Sequence, residues 1–121
     1  MSPHARLRAV TFDCPDPGKM AEFYRAFAGW EVSHSDDSFV GLVSQDGLWI
    51  GFQRVDGYRA PQWPGQDIPQ QCHFDFGASD LDAAEERLTE LGADKPAHQP
   101  GGDRWRVFTD PAGHPFCVSR A

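Results

Sequence analysis

Two short segments that share the pattern of a polar residue, Phe and Asp carry the groups best suited to chemistry. They are Thr11-Phe-Asp13 and His73-Phe-Asp75. Side chains alternate between the two faces of a strand, so the polar residues of each segment are predicted to share one face. An imidazole and two carboxylates placed there can act as a general acid and base. The aspartates are equally suited to a structural role in which they accept hydrogen bonds from backbone amides or from arginine.

Cys117 adds a thiol to this chemistry. In the predicted last strand, Phe116 and Val118 face a helix, which leaves Cys117 and Ser119 on the opposite face. A thiol that has His73 as its base would be a nucleophile. A buried cysteine also packs as a small hydrophobic residue, and that role is the commoner one. The sequence contains neither a Ser-His-Asp signature nor a glycine-rich phosphate loop.

Three aromatic residues and a glutamine complete the candidate binding residues. Trp49 and Gln53 are predicted on the face of their strand that lies away from a helix, while Tyr58 and Trp63 lie in residues 56–71, which are rich in Pro, Gly and Gln. Pockets are commonly apolar with a few polar groups, so the aromatic residues are predicted to stack on a flat ligand as a wall and lid. Packing within the core and the loop is the alternative role. The whole predicted binding set is Thr11, Asp13, Trp49, Gln53, Tyr58, Trp63, His73, Asp75 and Cys117.

A twofold repeat positions these residues. Phe12-Asp13 and Gly29 in the first half correspond to Phe74-Asp75 and Gly92 in the second. Each copy predicts a strand, then a helix, then a glycine that ends the helix. The helices are predicted to begin at the capping residues Asp16 and Asp80.

Strand-like segments follow each helix, which predicts an α+β fold built from two tandem βαβββ modules. A turn at Asp46-Gly47 separates two strands of the first module. The predicted strands after the helices are 31–33, 39–44 and 48–55 in the first module and 95–98, 104–109 and 115–119 in the second.

The order of these motifs resembles the vicinal oxygen chelate superfamily, which includes glyoxalases, dioxygenases and bleomycin-resistance proteins. The first half has Ala-Glu-Phe-Tyr-Arg at 21–25 and Gly-Trp at 29–30, and the second has His-Phe-Asp-Phe at 73–76 and the closing Thr-Asp-Pro-Ala-Gly-His-Pro-Phe at 109–116. The segments at 13–17, 52–55 and 63–65 are most similar to actinobacterial glyoxalase-like proteins.

The resemblance implies a single glyoxalase-like domain over residues 1–121. Module one covers about 5–55, a connecting loop 56–71, and module two about 72–121. Their strands would form a curved mixed sheet around a cavity, with the helices on its outer face. The polar residues named above would then line that cavity.

The superfamily typically holds a divalent metal with two ligands from each module. In this sequence only some of the corresponding positions hold a residue of the expected type. His73 falls on a first-strand ligand position, and Cys117 falls where a last-strand Glu would be expected. Thr11 and either Gly51 or Gln53 take the positions in module one. No cofactor is therefore predicted. A divalent metal, if present, would be held by His73 together with Gln53, Asp13, Asp75 or Cys117.

Two functional classes fit this pattern. One is a glyoxalase-like enzyme of the lyase or isomerase kind, acting on a small organic molecule without the full usual set of metal ligands. The other is a metal-free protein that binds or sequesters a drug-like molecule, as bleomycin-resistance proteins do. The resemblance further implies a homodimer.

Composition excludes other partners. The chain has 121 residues, a net charge of −7 and no basic stripe, which argues against binding to nucleic acid or to a membrane surface. It has no apolar run of the roughly 20 residues needed to span a bilayer. The start of the sequence has no signal-peptide pattern, so a cytoplasmic location is predicted. The three cysteines form no close-spaced pair, and reduced thiols are expected.

Overall fold

Each half of the chain begins with a strand that leads into a helix capped by an aspartate. The structure is a computed structural model that describes residues 4–121. It divides into two units, the first ending at Tyr58 and the second beginning at Arg59. The α+β prediction is confirmed, with one mixed sheet and one helix in each unit.

The first unit contains the whole βαβββ pattern. Its sheet has the order β1-β4-β3-β2, in which β1 and β4 are parallel and the other pairs are antiparallel. Aromatic packing joins the helix to the sheet, because the ring of Tyr24 stacks on that of Phe52 with centroids 5.6 Å apart. The elements are β1 (Ala9–Cys14), α1 (Pro17–Ala28), β2 (Glu31–Ser35), β3 (Phe39–Val43) and β4 (Trp49–Arg54).

The second unit has one strand fewer than predicted. Its sheet has the order β5-β7-β6, with β5 parallel to β7 and β6 antiparallel to it. Phe116 and Val118 of β7 are fully buried. The elements are β5 (Phe74–Ala78), α2 (Leu81–Glu90), β6 (Trp105–Thr109) and β7 (Pro115–Arg120).

The strand predicted at 95–98 is wrong, and a glutamine side chain explains how the sheet does without it. Only an isolated bridge between Asp94 and Thr109 forms there. Pro96 lacks the N–H that a strand ladder needs. Instead, the Gln99 amide accepts a hydrogen bond from the backbone N–H of Val107 at 2.9 Å and donates one to its carbonyl oxygen at 2.9 Å. A side chain thus makes the two bonds that a strand residue would have made.

Both predicted helix starts are present. The carboxylate of Asp16 accepts a hydrogen bond from the Lys19 backbone N–H at 3.1 Å, and that of Asp80 accepts one from the Ala83 N–H at 3.0 Å. Each cap stabilises its helix by about 1 kcal/mol. Gly29 follows α1 with a φ of 73°, a left-handed conformation that glycine adopts without strain.

In the described part of the chain, neither helix is long and apolar enough to cross a membrane. The three cysteines are all free thiols: Cys14 is buried, Cys72 is exposed and Cys117 is half-buried.

Candidate functional site

Burial alternates along the strands that carry the predicted site residues. In β1, Phe12 and Cys14 are buried while Thr11 and Asp13 are exposed. In β7, buried residues flank Cys117, which is half-buried. Each sheet therefore has one face under its helix and an opposite face that carries the polar side chains.

The opposite face of the second sheet brings three predicted residues together. His73, directly before β5, Asp75 in β5 and Cys117 in β7 each offer a donor atom, and these atoms all lie within 4.8 Å of one another. Asp75 and Cys117 are register partners in the parallel pair, and His73 lies two positions before Asp75. We call these three residues the β5–β7 cluster.

Within the β5–β7 cluster, Asp75 contacts both other members. Its Oδ1 lies 3.3 Å from His73 Nε2. Burial raises the pKa of the Cys117 thiol, and the negative charge of Asp75 and a hydrogen bond to that carboxylate raise it further. Cys117 is therefore a protonated thiol at neutral pH, which argues against the predicted role as a nucleophile with His73 as its base.

The equivalent aspartate in the first unit has a different partner. Asp13 pairs in register with Gln53 of β4, whose Nε2 donates a hydrogen bond to Asp13 Oδ1 at 2.9 Å. This partner is a side-chain amide and neither of the predicted ones, a backbone amide or an arginine, but its hydrogen bond gives Asp13 the same structural role. The two predicted binding residues Asp13 and Gln53 are thus in contact, on the exposed side of β1 and β4.

An aromatic ring fills the space above the predicted ligand positions of the first unit. A Cβ atom at Gly51 would lie 2.5 Å from Phe39 Cζ and 2.9 Å from Thr11 Oγ1. No side chain fits at position 51 unless Phe39 moves. Thr11 lies beside this ring.

Phe39 is absent from the predicted site residues, although the sequence carried a signal for it. In the run Phe39-Val-Gly-Leu-Val43, the alternation places Val40 and Leu42 under the helix. Phe39 must then project from the other face, where it pairs with Gln53 and lies over Gly51. The alternation of side chains between the two faces of β3 therefore identifies Phe39 as a residue of the face away from the helix.

The three predicted aromatic residues have different surroundings. Trp49 is 41% exposed, and a Cβ atom at Gly41 would lie 3.5 Å from its ring. Tyr58 is half-buried at the end of the first unit. Trp63 is half-buried in the second unit, with its ring centroid 5.2 Å from that of His98. A cavity shared by the two modules stays a prediction.

The donors of the two units fit a metal differently. In the second unit an imidazole, a carboxylate and a thiol converge, and all three are common metal ligands. In the first unit the equivalent positions hold Thr11, a weak donor, and Asp13 with Gln53, whose amide already donates a hydrogen bond to the Asp13 carboxylate. Gly51, the other predicted ligand position, has no side chain and lies under the Phe39 ring. The residues present do not provide two metal ligands from each module, as the family resemblance implies. They do fit a three-donor site within module two.

Comparisons with known proteins support the fold. A family model described as a glyoxalase-like domain matches residues 9–119. A possible glyoxalase from Bacillus cereus has a TM-score of 0.71 and 15% identity, covering 94% of this chain and 97% of that chain. The fosfomycin resistance protein FosX from Listeria monocytogenes, solved with Mn(II) and sulfate, has a TM-score of 0.73 and 20% identity, covering 99% of this chain and 92% of that chain. The oxidase ChaP-H2 has a TM-score of 0.69 and 22% identity, covering 98% and 95%.

At these identities the likeness to solved structures establishes the fold alone. None of the curated proteins compared with the chain matches it.

Proposed function

Since this chain belongs to the glyoxalase-like family of the vicinal oxygen chelate superfamily, we propose that it is an enzyme that moves a proton on a small organic molecule. The observation that carries the proposal is the 3.3 Å contact between His73 Nε2 and Asp75 Oδ1. An imidazole oriented by a carboxylate is a common general base in enzymes. The reaction class is that of a lyase or isomerase.

Each member of the β5–β7 cluster has a separate part in this mechanism. His73 takes a proton from a carbon next to a carbonyl group and returns it to a neighbouring atom of the same molecule. Asp75 orients the imidazole and stabilises the imidazolium that forms. Cys117, a protonated thiol, donates a hydrogen bond to Asp75 and keeps its carboxylate in place.

The exposure of the β5–β7 cluster is compatible with access for a small molecule. The side chain of His73 is 39% exposed and that of Asp75 is 72% exposed. A base must reach the proton that it abstracts, and neither group is sealed inside the core.

A second candidate function is metal-free binding of a flat molecule, as in bleomycin-resistance proteins. Phe39 and the exposed Trp49 give the first sheet an aromatic surface, and the absence of side chains at Gly41 and Gly51 leaves room for their rings. Stacking on such a surface would hold a planar ligand without any proton transfer.

Deuterium exchange separates the two functions. Small aldehydes and ketones, aliphatic and aromatic, are incubated with the protein in D2O and a metal chelator, and exchange at the carbon next to the carbonyl is followed by proton NMR. The proposal expects catalysed exchange that falls about 100-fold in His73→Asn, because a positioned general base contributes about 10²–10⁴-fold. Ligand-dependent shifts of protein signals without exchange would favour the metal-free binder.

His34→Asn is the matched control for this experiment. His34 forms a similar pair with a carboxylate, since its Nε2 lies 2.8 Å from Asp36 Oδ2, but it lies in the first unit. Exchange should be unchanged in this variant. An equal loss in His34→Asn and His73→Asn would contradict the assignment of the base.

Assembly is proposed on the family resemblance, and location on the sequence pattern. We propose a homodimer in the cytoplasm. Light scattering coupled to size-exclusion chromatography measures the mass directly, and a monomer at working concentration would refute the dimer.

A further inference from the structure

We propose that the β5–β7 cluster binds a divalent cation of the zinc and cobalt class through His73, Asp75 and Cys117, and that it discriminates against manganese and magnesium. His73 and Cys117 lie at ligand positions that the family resemblance implies, but the set differs from the usual one because Asp75 replaces the two ligands of module one and a thiol replaces a carboxylate. The inference goes beyond the proposed function and does not depend on it.

The spacing of the donor atoms supports a tetrahedral site. Zinc bonds of roughly 2.0–2.3 Å to nitrogen, oxygen and sulfur place the ligand atoms of a tetrahedral site roughly 3.3–3.7 Å apart. His73 Nε2 and Asp75 Oδ1 already lie 3.3 Å apart. All three donors lie within 4.8 Å, so a rotation of about 1 Å at Cys117 or His73 brings them to zinc distances.

The backbone holds two of the donors in place. Asp75 and Cys117 are register partners on adjacent parallel strands, so their side chains leave the sheet side by side. The neighbours of Cys117 in β7, Phe116 and Val118, are fully buried and fix the orientation of the strand. His73 precedes β5, so its backbone lies outside the strand and can also adjust, whereas Asp75 and Cys117 adjust only by rotation of their side chains.

The chemistry of the donors selects the cation. Thiolate and imidazole are preferred by zinc, cobalt and nickel, whereas magnesium and manganese favour sites made of oxygen ligands. On binding, a metal–sulfur bond forms, the S–H bond of Cys117 breaks, and the proton passes to solvent. Three protein ligands leave one tetrahedral position for water or another small ligand.

The proposed site needs no ligand from the first unit. The ring of Phe39 fills the space above Gly51, and Thr11 is a poor ligand. Metal bound at His73 Nε2 would leave the ring proton on Nδ1, so the imidazole could no longer accept a proton from a substrate. Zinc is therefore expected to inhibit the exchange reaction proposed above, and manganese is not.

Cobalt spectroscopy tests the site without any organic ligand or activity. The wild-type protein is titrated with Co(II), and the thiolate-to-cobalt charge-transfer band in the near ultraviolet is recorded. One equivalent should produce the band, zinc should abolish it, and an excess of manganese should leave it unchanged.

Cysteine variants locate the thiolate. Cys117→Ser should lose the charge-transfer band, while Cys72→Ser, which removes the exposed thiol adjacent to His73, should retain it. His73→Asn and Asp75→Asn should each weaken cobalt binding at least about tenfold. Circular dichroism and thermal melts establish that each variant is folded, and a variant that fails is replaced by Cys117→Ala or His73→Gln.

Several results would overturn the proposal. These are the absence of a charge-transfer band in wild type, a band that survives in Cys117→Ser or disappears in Cys72→Ser, and displacement of cobalt by an equal concentration of manganese. The metal titration contains no substrate and the exchange assay contains a chelator. A negative metal titration would therefore refute the metal site without affecting the proposed proton transfer, and a negative exchange assay would do the reverse.

Discussion

The two units place an aspartate at the same point of the same scaffold and surround it differently. In the first unit Asp13 is opposite Gln53 across parallel strands, and the amide donates to the carboxylate at 2.9 Å. In the second unit Asp75 is opposite Cys117 and lies 3.3 Å from an imidazole nitrogen. The backbone pairing is the same, so the chemistry of the site depends on which neighbours the strand register supplies.

The same contrast holds two positions earlier in the repeat. The counterpart of His73 is Thr11, and the space beside Thr11 is filled by the Phe39 ring over Gly51. One sheet face has become aromatic and internally hydrogen-bonded, whereas the other carries groups that can accept a proton or a metal. Three variants probe the structural side of this contrast.

The largest effect is expected from filling the space under Phe39. Gly51→Glu would place a Cβ 2.5 Å from the Phe39 ring, and displacement of that ring should lower the free energy of unfolding by about 3 kcal/mol. Urea denaturation measures the loss. The double variant Gly51→Glu with Phe39→Ala should recover most of it.

Gly18→Ala is the control, because its Cβ would lie at an ordinary 3.5 Å from Asp16 Oδ1. It lies in helix α1, where alanine is favoured over glycine. Equal stability of Gly51→Glu and wild type would show that Phe39 does not fill this position.

A somewhat smaller effect is expected at the residue that replaces the missing strand of the second unit. Gln99→Ala removes two hydrogen bonds to Val107, whose side chain is buried, and should cost about 2 kcal/mol of unfolding free energy. Hydrogen exchange at the Val107 amide should speed up with it. Gln66→Ala, which removes only an exposed bond to the neighbouring Gly65, is the matched control. Similar unfolding free energies for the two variants would contradict the role of Gln99.

The smallest effect is expected at the turn between β2 and β3. Contact with His34 and hydrogen bonds from the Ser38 and Phe39 backbone amides lower the pKa of Asp36. Because the pKa of this carboxyl is lower in the folded state, its ionised form stabilises the protein at pH values above the unfolded-state pKa of roughly 4. That stabilisation is lost as the pH falls through the folded-state pKa. Wild type should therefore be slightly more stable than Asp36→Asn at neutral pH.

The difference between wild type and Asp36→Asn should disappear in acid, as followed by thermal melts across the pH range. Asp37→Asn, at the exposed neighbouring position, should show no such pH dependence. A difference between wild type and Asp36→Asn that persists at low pH would rule out the carboxylate charge as its source.

The sequence predicted the scaffold well because its signals are local. The helix caps Asp16 and Asp80 and the alternation around Phe12 and Phe116 depend only on nearby residues, and the structure has them as predicted. The missing strand at 95–98 was not predictable in this way. Its hydrogen bonds are replaced by Gln99, and a side chain that takes over a strand ladder leaves no periodic pattern.

The shared face of three candidate site residues was predictable for the same reason. Strand parity placed His73, Asp75 and Cys117 on one face, but their convergence within 4.8 Å required the register of β5 and β7. The protonated state of Cys117 follows from its burial and from the adjacent Asp75. Neither neighbour relation is visible in a linear sequence.

We infer that the aspartate of the second unit supports proton transfer and that its counterpart in the first unit has a structural role. Deuterium exchange on the carbonyl panel, compared between Asp75→Asn and Asp13→Asn, separates these two roles. Asp75→Asn should slow exchange by about 10-fold or more, because the imidazole loses its orienting carboxylate. Asp13→Asn should leave exchange within about twofold of wild type, since its partner is the Gln53 amide. An equal loss in both variants, or a loss confined to Asp13→Asn, would show that the two aspartates do not have these different roles.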